Sequence, residues 1–325
     1  MRVDTVRASV AEPPFDHARP SQLSPLYDPQ ALDELVQSFS RISVAVKQRE
    51  DAVSRIVREI LLPTLSAFED GECKKLLPDH PCFELSRQFA NKWNISDTAV
   101  QNHIKLACGY LKFPVILLLN PAPTHEKKSF DRMVEECKTL KWIENVLKSI
   151  GIELADVMIL DACTLLGSDK LNQLGAEGRG RKEQAISEAY DLTQKMLQMI
   201  KPDMIVSCQC STSFSKWLAG GHFIARELCS SIKRAKEKQV KQVTIGDHTI
   251  NVVQAYHPSG FLNHNKDSRH HDPRGELLEG LFEKLFLPCL SRKRRLLVST
   301  VSDAFSSTST YASAKSPVKE RNLAG

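Results

Sequence analysis

Two apolar runs of strand length in this chain each end in a polar residue that is followed at once by proline. The first run, 113–119, leads to Asn120, and the second, 252–256, leads to His257. Because proline cannot donate a hydrogen bond to a sheet ladder, each strand must stop at that point. Asn120 and His257 should therefore lie at the carboxyl ends of their strands, where open α/β sheets place their ligand sites.

Segments of strand length alternate with segments of helical periodicity around these two runs. This alternation predicts a three-layer α/β/α sandwich with a central, mostly parallel four-stranded sheet, extended by helices at the N-terminus. The predicted strands are 114–120, 157–161, 204–208, and a hairpin of 240–245 and 249–255. The predicted helices are 96–110, 129–149, 183–200, a stretch containing Trp217, 222–238 and 274–287, with a loop at 175–182.

Composition divides the chain into four parts. Residues 1–29 are rich in proline and are predicted to be disordered. In 30–94, apolar residues at three- and four-residue spacings predict a helical extension, which either packs on the core or binds a protein partner. Residues 95–288 form the α/β domain. The tail, 289–325, is predicted to be disordered, and its basic cluster Arg292–Arg295 is a candidate nuclear-import signal, a phosphate-contacting patch or a solvated charge run.

Charge and cysteine content exclude some classes of protein. The net charge of +5 permits a polyanionic partner without demanding one. The nine cysteines lack CxxC spacing and no metal-ligand pattern is present, so we expect free thiols, no metal and no cofactor. We find no apolar run of membrane-spanning length and no signal peptide, and we expect no membrane association. The predicted location is nuclear, from the basic cluster, or otherwise cytoplasmic.

The motifs and their order resemble the uracil-DNA glycosylase superfamily over residues 95–288. The segment Asn120-Pro121-Ala122-Pro123 is similar to the Asn-Pro-Gly-Pro motif of the single-strand-selective monofunctional branch. Asp161 ends a strand where the family has its base-reading asparagine, and 202–206 falls at the family's third strand. The tripeptide that starts at His257, His-Pro-Ser, matches the final motif.

The resemblance implies a role for each of these residues. Asn120 would orient the attacking water through its side-chain carbonyl, and His257 would donate a hydrogen bond to the base carbonyl oxygen. The base-binding residues would be Asp161, Pro121 and Ala122. The partner would be DNA, single- or double-stranded, with one base flipped out of the stack. Five residues would contact it: Pro258, Ser259, Phe261 (as an apolar wedge, or alternatively part of the core), Lys266 and Arg269.

Three positions depart from the family pattern. Leu118 and Ala122 stand where the family usually has glycine, and Leu118 would narrow the pocket. Asp161 replaces an asparagine, and an ionised aspartate offers only acceptors to a base. The pocket therefore reads a base with two adjacent donors, or burial keeps Asp161 protonated, or uracil excision has been lost.

Three functional hypotheses follow. The first is a DNA base-excision glycosylase that hydrolyses the N-glycosidic bond of a damaged or deaminated, uracil-type base by water attack. The second is a catalytically inactive module of the same fold that binds DNA or protein. The third is an unrelated α/β hydrolase or transferase that uses Asp161 and His257 as an acid/base pair, although no nucleophile-elbow motif supports it.

Overall fold

A computed structural model describes residues 51–66, 74–208, 222–263 and 272–290 of the 325-residue chain. The described residues all belong to one compact unit that begins at Asp51. The predictions of disorder in 1–29 and of the stretch around Trp217 lie outside the described residues, as do 30–50 of the helical extension and almost all of the tail.

A five-stranded, mostly parallel sheet forms the centre of the molecule. Its strands are β1 (Val115–Leu118), β2 (Ile159–Asp161), β3 (Met204–Ser207), β4 (Val240–Ile245) and β5 (His248–Gln254). The spatial order is β2-β1-β3-β5-β4, and all neighbouring pairs are parallel except β4 and β5.

The α/β class and the mostly parallel sheet are confirmed, but the count of four strands is wrong. The first arm of the predicted hairpin pairs with β5 along its whole length and so adds an antiparallel edge strand. Gly246 turns the hairpin with a φ of 65°, a left-handed conformation that glycine adopts without a steric penalty.

Helices cover both faces of the sheet. They are α1 (a helical run, 52–66, with a π-turn at Val57–Leu61), α2 (Cys82–Trp93), α3 (Asp97–Ala107), α4 (Phe130–Glu136), α5 (Lys138–Ile150), α6 (Ser168–Glu177), α7 (Arg179–Ile200), α8 (Phe223–Glu227), α9 (Ile232–Lys236), α10 (Ser259–Leu262) and α11 (273–290).

Alternation along the strands divides the buried residues into two cores. On β1, Val115 and Leu117 pack into the core that contains α2, α6 and α7. The intervening Ile116 and Leu118 pack into the core that contains α1, α4, α5 and α11. Successive strand residues point to opposite faces of the sheet, so each apolar strand supplies both cores. The result is the three-layer arrangement expected from the sequence.

Several helix boundaries differ from the prediction. The single helix expected at 129–149 is two helices, because the backbone is extended at Cys137 (φ −81°, ψ 104°). The loop expected at 175–182 is mostly helical and is broken only at Gly178, whose φ of 139° suits glycine. The basic helix expected at 222–238 is replaced by the short helices α8 and α9.

The described part of the helical extension packs on the sheet. Val53, Ile56 and Leu65 of α1 are buried in one core, and Phe83 and Trp93 of α2 are buried in the other. Lys284 of α11 also donates a hydrogen bond to the Asp51 carboxylate at 2.6 Å. The apolar spacing of these segments therefore corresponds to faces that cover the sheet.

Candidate active site

A cavity of about 640 Å³ opens at the carboxyl edge of the sheet. Its volume lies within the range of small-molecule sites in proteins. The three residues predicted to carry the chemistry, Asn120, Asp161 and His257, all line this cavity, and so do Pro121 and Ala122. Asp161 ends β2, and the other two follow β1 and β5. Because these three strands are parallel, their carboxyl ends meet at one edge, and residues distant in sequence form one wall.

Asn120 follows β1 by two residues and is half-buried in the cavity wall. Its side-chain Nδ2 donates to the Pro121 carbonyl oxygen at 3.3 Å. That bond leaves the side-chain Oδ1 to accept a hydrogen bond from a ligand or a water. An amide oxygen is a very weak base, so Asn120 can orient a water molecule but cannot remove a proton from it.

His257 is held in one tautomer by the residue two positions later. The Ser259 backbone N–H donates to Nδ1 at 3.1 Å, and the Ser259 hydroxyl lies 2.7 Å from the same atom. Since Nδ1 is an acceptor, the proton of the neutral ring is on Nε2. Burial lowers the pKa of His257 to about 4. The ring is therefore a neutral Nε2–H donor throughout the neutral pH range.

Asp161 is the buried acid of the cavity. It is the last residue of β2, where it pairs in register with Leu118, and only 6% of its surface is exposed. Within the described part of the chain, its Oδ1 has no hydrogen-bond partner. Burial raises the pKa of Asp161 to about 7. The neutral acid is thus populated near neutral pH, and it offers one donor and one acceptor, as an asparagine amide does.

The two positions at which glycine was expected both contribute to the cavity wall. Leu118 is almost fully buried, with its side chain in the core shared with α5, and Ala122 is half-buried. The backbone carbonyl of Leu118 accepts a hydrogen bond from the Ala162 N–H at 2.8 Å. Leu118 therefore forms an apolar wall beside Asp161, and the cavity still has room for a small ligand.

The residues predicted to contact DNA fall into different environments. Ser259 lines the cavity and is the first residue of α10, while Pro258 is buried and is the N-cap residue before that helix. Phe261 is 5% exposed and packs edge-on against Trp142, with ring centroids 5.3 Å apart. A wedge must be exposed to enter a base stack, so the burial of Phe261 favours the alternative expectation, in which the ring is part of the core.

The basic residues that follow the His-Pro-Ser motif are only partly described. Lys266 and Arg269 lie outside the described residues. Arg274, at the start of α11, lines the cavity and makes hydrogen bonds with the Asp272 carboxylate. Its Nη2 also donates to the Gly260 carbonyl oxygen at 3.0 Å. Arg274 therefore fastens the loop after His257 to the last helix.

Sequence reasoning missed several other residues of the wall: His125, Cys137, Thr139, Leu140, Ser168, Ile232, Tyr256 and Asn263. His125 is the most informative, because its buried Nε2 has no partner among the described residues. Burial lowers the pKa of His125 to about 4, so this ring is also neutral. Its position five residues after Asn120 was a signal in the sequence, since the same strand-end loop carries both side chains.

The amino end of α5 also faces the cavity. Cys137 precedes the helix, and Thr139 and Leu140 lie in its first turn, and all three line the cavity wall. The amino end of a helix carries a partial positive charge from its aligned peptide dipoles. This end of α5 therefore favours negative charge that develops inside the cavity.

The chain matches no protein-family model, and no curated protein is significantly similar to it.

Among the described residues, no group of three or more histidine, cysteine or acidic side chains is placed to hold a metal ion. None of the described helices is both long and apolar enough to cross a membrane.

Proposed function

We propose that this protein is a DNA glycosylase-like enzyme that hydrolyses the N-glycosidic bond of a damaged or deaminated, uracil-type base. The observation that carries the proposal is the meeting of Asn120, Asp161 and His257 in one cavity of suitable volume. The motif resemblance named these residues, and the parallel sheet brings them to the same edge. The substrate would be a nucleotide flipped out of single- or double-stranded DNA.

Water attack on the sugar needs orientation more than a strong base. Oδ1 of Asn120 accepts a hydrogen bond from the water and directs its oxygen at C1′ of the deoxyribose. As the new C–O bond forms, the bond between C1′ and the base nitrogen breaks, and its electron pair leaves with the base. Water loses its proton to the solvent, and the released base takes one up. The products are an abasic sugar and the free base.

Stabilisation of the departing base would come from His257. Its neutral Nε2–H can donate a hydrogen bond to a carbonyl oxygen of the base, where negative charge develops. A single preorganised donor of this kind contributes about 2.7–4 kcal/mol to transition-state stabilisation. The hydrogen bonds from Ser259 keep the ring in the donating tautomer, and the amino end of α5 favours the same negative charge.

Base selection would depend on the protonation of Asp161. In its neutral form the carboxylic acid can donate to O4 of a uracil-type base and accept from N3–H, the pattern that an asparagine would read. The ionised form would place an acceptor against O4 and weaken binding. Burial raises the pKa of Asp161 to about 7, so the competent form is present at and below neutral pH.

The other two hypotheses have different support. A catalytically inactive module is favoured by Leu118, Ala122 and Asp161, which depart from the family pattern, and it would bind DNA or a protein partner without turnover. The acid/base pair of an unrelated hydrolase is disfavoured, because Nδ1 of His257 is bonded to Ser259 rather than to Asp161.

Single-turnover excision tests the proposal. Labelled oligonucleotides that carry uracil, hydroxymethyluracil, hypoxanthine or xanthine, in single and double strands, would be incubated with excess protein and treated with alkali. We expect strand scission at the modified base by the wild-type protein and none by the Asn120→Ala, His257→Ala double variant. Asn91→Ala, His248→Ala is a matched control, since Asn91 is exposed on α2 and His248 lies at the opposite end of β5.

Two outcomes would overturn the enzyme proposal. One is scission that persists in the double variant, which would place the activity elsewhere or in a contaminant. The other is folded wild-type protein that binds these oligonucleotides in a salt-dependent manner but cleaves none of them. The second result would establish the binding-module hypothesis instead.

A further inference from the structure

The main chain at Asp161 ends the edge strand of the sheet. In the spatial order, β2 comes first and has β1 as its neighbour. The Ala162 N–H donates to the Leu118 carbonyl oxygen of β1 at 2.8 Å. Because successive residues of a strand direct their peptide groups to opposite sides, the Asp161 carbonyl points away from β1. No strand in the described part of the chain lies on that side, so this buried carbonyl needs a donor from elsewhere.

Two buried threonine hydroxyls meet this carbonyl. Thr164 Oγ1 donates to the Asp161 carbonyl oxygen at 2.7 Å and lies 2.7 Å from Thr193 Oγ1. Thr193, in the middle of α7, lies 3.2 Å from the same carbonyl oxygen and 2.9 Å from that of Ala162. Both threonines are fully buried. The hydroxyl pair therefore joins the end of β2 to the long helix that covers it.

The Thr193 hydroxyl also has an acceptor within its own helix. It lies 3.1 Å from the Ala189 carbonyl oxygen, one turn earlier in α7, and threonines in helices often make this local bond. A hydroxyl has a single proton to donate. The two shortest contacts of Thr193, to Thr164 and to Ala162, are both with the segment after β2. The geometry therefore favours the bonds that cross to the strand.

The turn that follows Asp161 has a strained backbone. Leu165 is buried in the core with α2, α6 and α7, and its φ is 64°. This left-handed conformation is unfavourable for a residue with a Cβ atom. It persists only where packing and hydrogen bonds leave the chain no alternative, and such positions cluster at functional sites. The turn is therefore held in one conformation by its surroundings.

We propose that Thr193 and Thr164 are positioning residues, whose hydroxyls fix the main chain of Asp161 and so direct its carboxyl group into the cavity. Neither threonine is part of the cavity wall, so both act through Asp161. The inference rests on the proposed function, because it assumes that Asp161 reads the base. It adds α7, an element that the motif resemblance does not include.

A double-mutant cycle separates positioning from general stability. Thr193→Val keeps the shape of the side chain and removes the hydroxyl. We expect single-turnover excision to slow roughly ten- to a hundredfold, because a displacement of about 1 Å can cost that much. In an Asp161→Ala background, Thr193→Val should cause little further loss, since the positioned group is absent. Thr193→Ser, which retains a hydroxyl, should restore the rate.

The hairpin of β4 and β5 offers a matched control. The hydroxyls of Thr244 and Thr249 lie 3.2 Å apart there, and both residues are exposed. Thr249→Val removes one member of this second hydroxyl pair. It should leave the excision rate unchanged in the presence and in the absence of Asp161.

The carboxyl group of Asp161 can also be followed without catalysis. The pH dependence of urea unfolding would be compared between each protein and its Asp161→Asn derivative, and the difference reports the titration of Asp161. The comparison cancels the other titratable groups of the cavity wall, which are His125, Cys137, Tyr256, His257 and Arg274. In Thr193→Val, a loosened turn admits water, so the folded-state pKa of Asp161 should move toward its ordinary value of 3.8. In Thr193→Ser and Thr249→Val it should match the wild type.

Thr164→Val provides a second test, because it removes the hydroxyl that bonds to the Asp161 carbonyl oxygen at 2.7 Å. The inference is overturned if a folded valine variant at position 193 or 164 leaves the Asp161 titration unchanged. It is also overturned if Thr193→Val lowers excision by the same factor with and without Asp161. A titration that moves in a protein that excises no base would support the positioning and overturn only the proposed catalysis.

Discussion

A buried acid lies at each end of β2, and the two differ in whether their carboxyl oxygens have hydrogen-bond partners. Asp156, just before the strand, is 2% exposed and accepts hydrogen bonds from Lys75 Nζ at 3.1 Å and from the Glu153 N–H at 3.0 Å. Asp161, at the other end, is 6% exposed, and its Oδ1 has no partner in the described residues. Both carboxyl groups are buried, but only that of Asp156 has hydrogen bonds that offset the cost of removing it from water.

The same contrast separates two histidines on the β5 side of the sheet. His248 begins the strand and is hydrogen-bonded to the Pro202 carbonyl oxygen at 2.9 Å. His257 follows the strand, and its ring accepts hydrogen bonds at Nδ1 from Ser259 of the same loop. At the amino edge of the sheet, polar side chains bond to the protein. At the carboxyl edge, they keep hydrogen-bonding capacity for a ligand, which is typical of functional sites.

The largest expected effect is on activity at the carboxyl edge. His257→Ala should lower single-turnover excision by about 10²–10³-fold, because it removes the side chain proposed to donate a hydrogen bond to the departing base. His248→Ala should leave the excision rate of the folded protein unchanged and lower the melting temperature. The measurement is a pair of rate constants and a pair of thermal unfolding curves. Equal losses of rate in the two variants would remove the functional distinction between the edges.

Removal of the ionisable group at position 161 should change stability in a pH-dependent way. Because the folded-state pKa of Asp161 is raised from 3.8 to about 7, the folded protein holds its proton after the unfolded chain has lost it. The contribution of Asp161 to the free energy of unfolding should therefore fall as the pH rises from about 4 to 7, whereas the contributions of the buried His103, His125 and His257, whose pKa values are lowered to about 4, rise over the same range. Asp161→Asn should abolish this fall and be more stable at pH 8 by roughly 2–4 kcal/mol, as measured by urea unfolding.

The activity of the wild type should follow the same titration. Excision of uracil-type bases should decline above about pH 7, as Asp161 ionises, while Asp161→Asn should remain active at high pH. The other titratable groups in the cavity wall are His125, Cys137, Tyr256, His257 and Arg274. The two histidines titrate near pH 4 and burial raises the pKa of the Cys137 thiol, so none of these three accounts for a change near pH 7. An identical pH profile in the variant would exclude Asp161 as the group that titrates.

A smaller effect, on the free energy of unfolding, is expected at Asp156, the hydrogen-bonded acid that precedes β2. Asp156→Ala removes the partner of Lys75 and of the Glu153 N–H, and should lower the free energy of unfolding by about 1–3 kcal/mol. The excision rate of the folded variant should be unchanged, because Asp156 is at the far end of the strand. Chemical unfolding at pH 7 measures the first quantity. A variant as stable as the wild type would show that Asp156 is no better compensated than Asp161.

The smallest effect on the free energy of unfolding is expected for Asp51, an acid that lies at neither edge of the sheet. Burial opposes ionisation of Asp51, but hydrogen bonds from Lys284 and Ser54 outweigh it and lower its pKa to about 2. The contribution of the ionised Asp51 to the free energy of unfolding is present above the unfolded-state pKa of 3.8 and is lost as the pH falls toward 2. Because both Asp51 and Lys284 are nearly half exposed, Asp51→Asn should cost no more than about 1 kcal/mol at pH 7. A larger loss in urea unfolding would show that attachment of α1 to α11 matters more than the ion pair alone.

The sequence predicted most of the sheet, and the reasons are local. The segments that became β1, β3 and β5 are rich in β-branched or other apolar residues and are bounded by proline, glycine or charge, so few alternatives competed. The helix boundaries were less predictable. The break at Cys137 has no proline or glycine to mark it, and the expected loop at 175–182 is helical because only Gly178 has a backbone conformation that interrupts the helices.

The candidate site was predicted in part. Asn120, Asp161 and His257 stood out because each follows an apolar run at its carboxyl end. The sequence left Phe261 either as an apolar wedge or as part of the core, and the tertiary packing places it against Trp142 in the core. Ile232 and His125 belong to no motif, and the sequence offered a signal only for His125, which follows Asn120 in the same strand-end loop.

The sequence by itself determined the alternation of strands and helices, the points at which strands stop, and the residue types that a strand end can present. These follow from propensity, periodicity and the missing N–H of proline, which act over a few residues. The tertiary structure decided which strand ends meet, which acid has a partner, and which apolar side chains stay exposed. Burial and hydrogen-bond compensation depend on neighbours distant in sequence, so the raised pKa of Asp161 and the exposure of Ile232 could be read only from the folded chain.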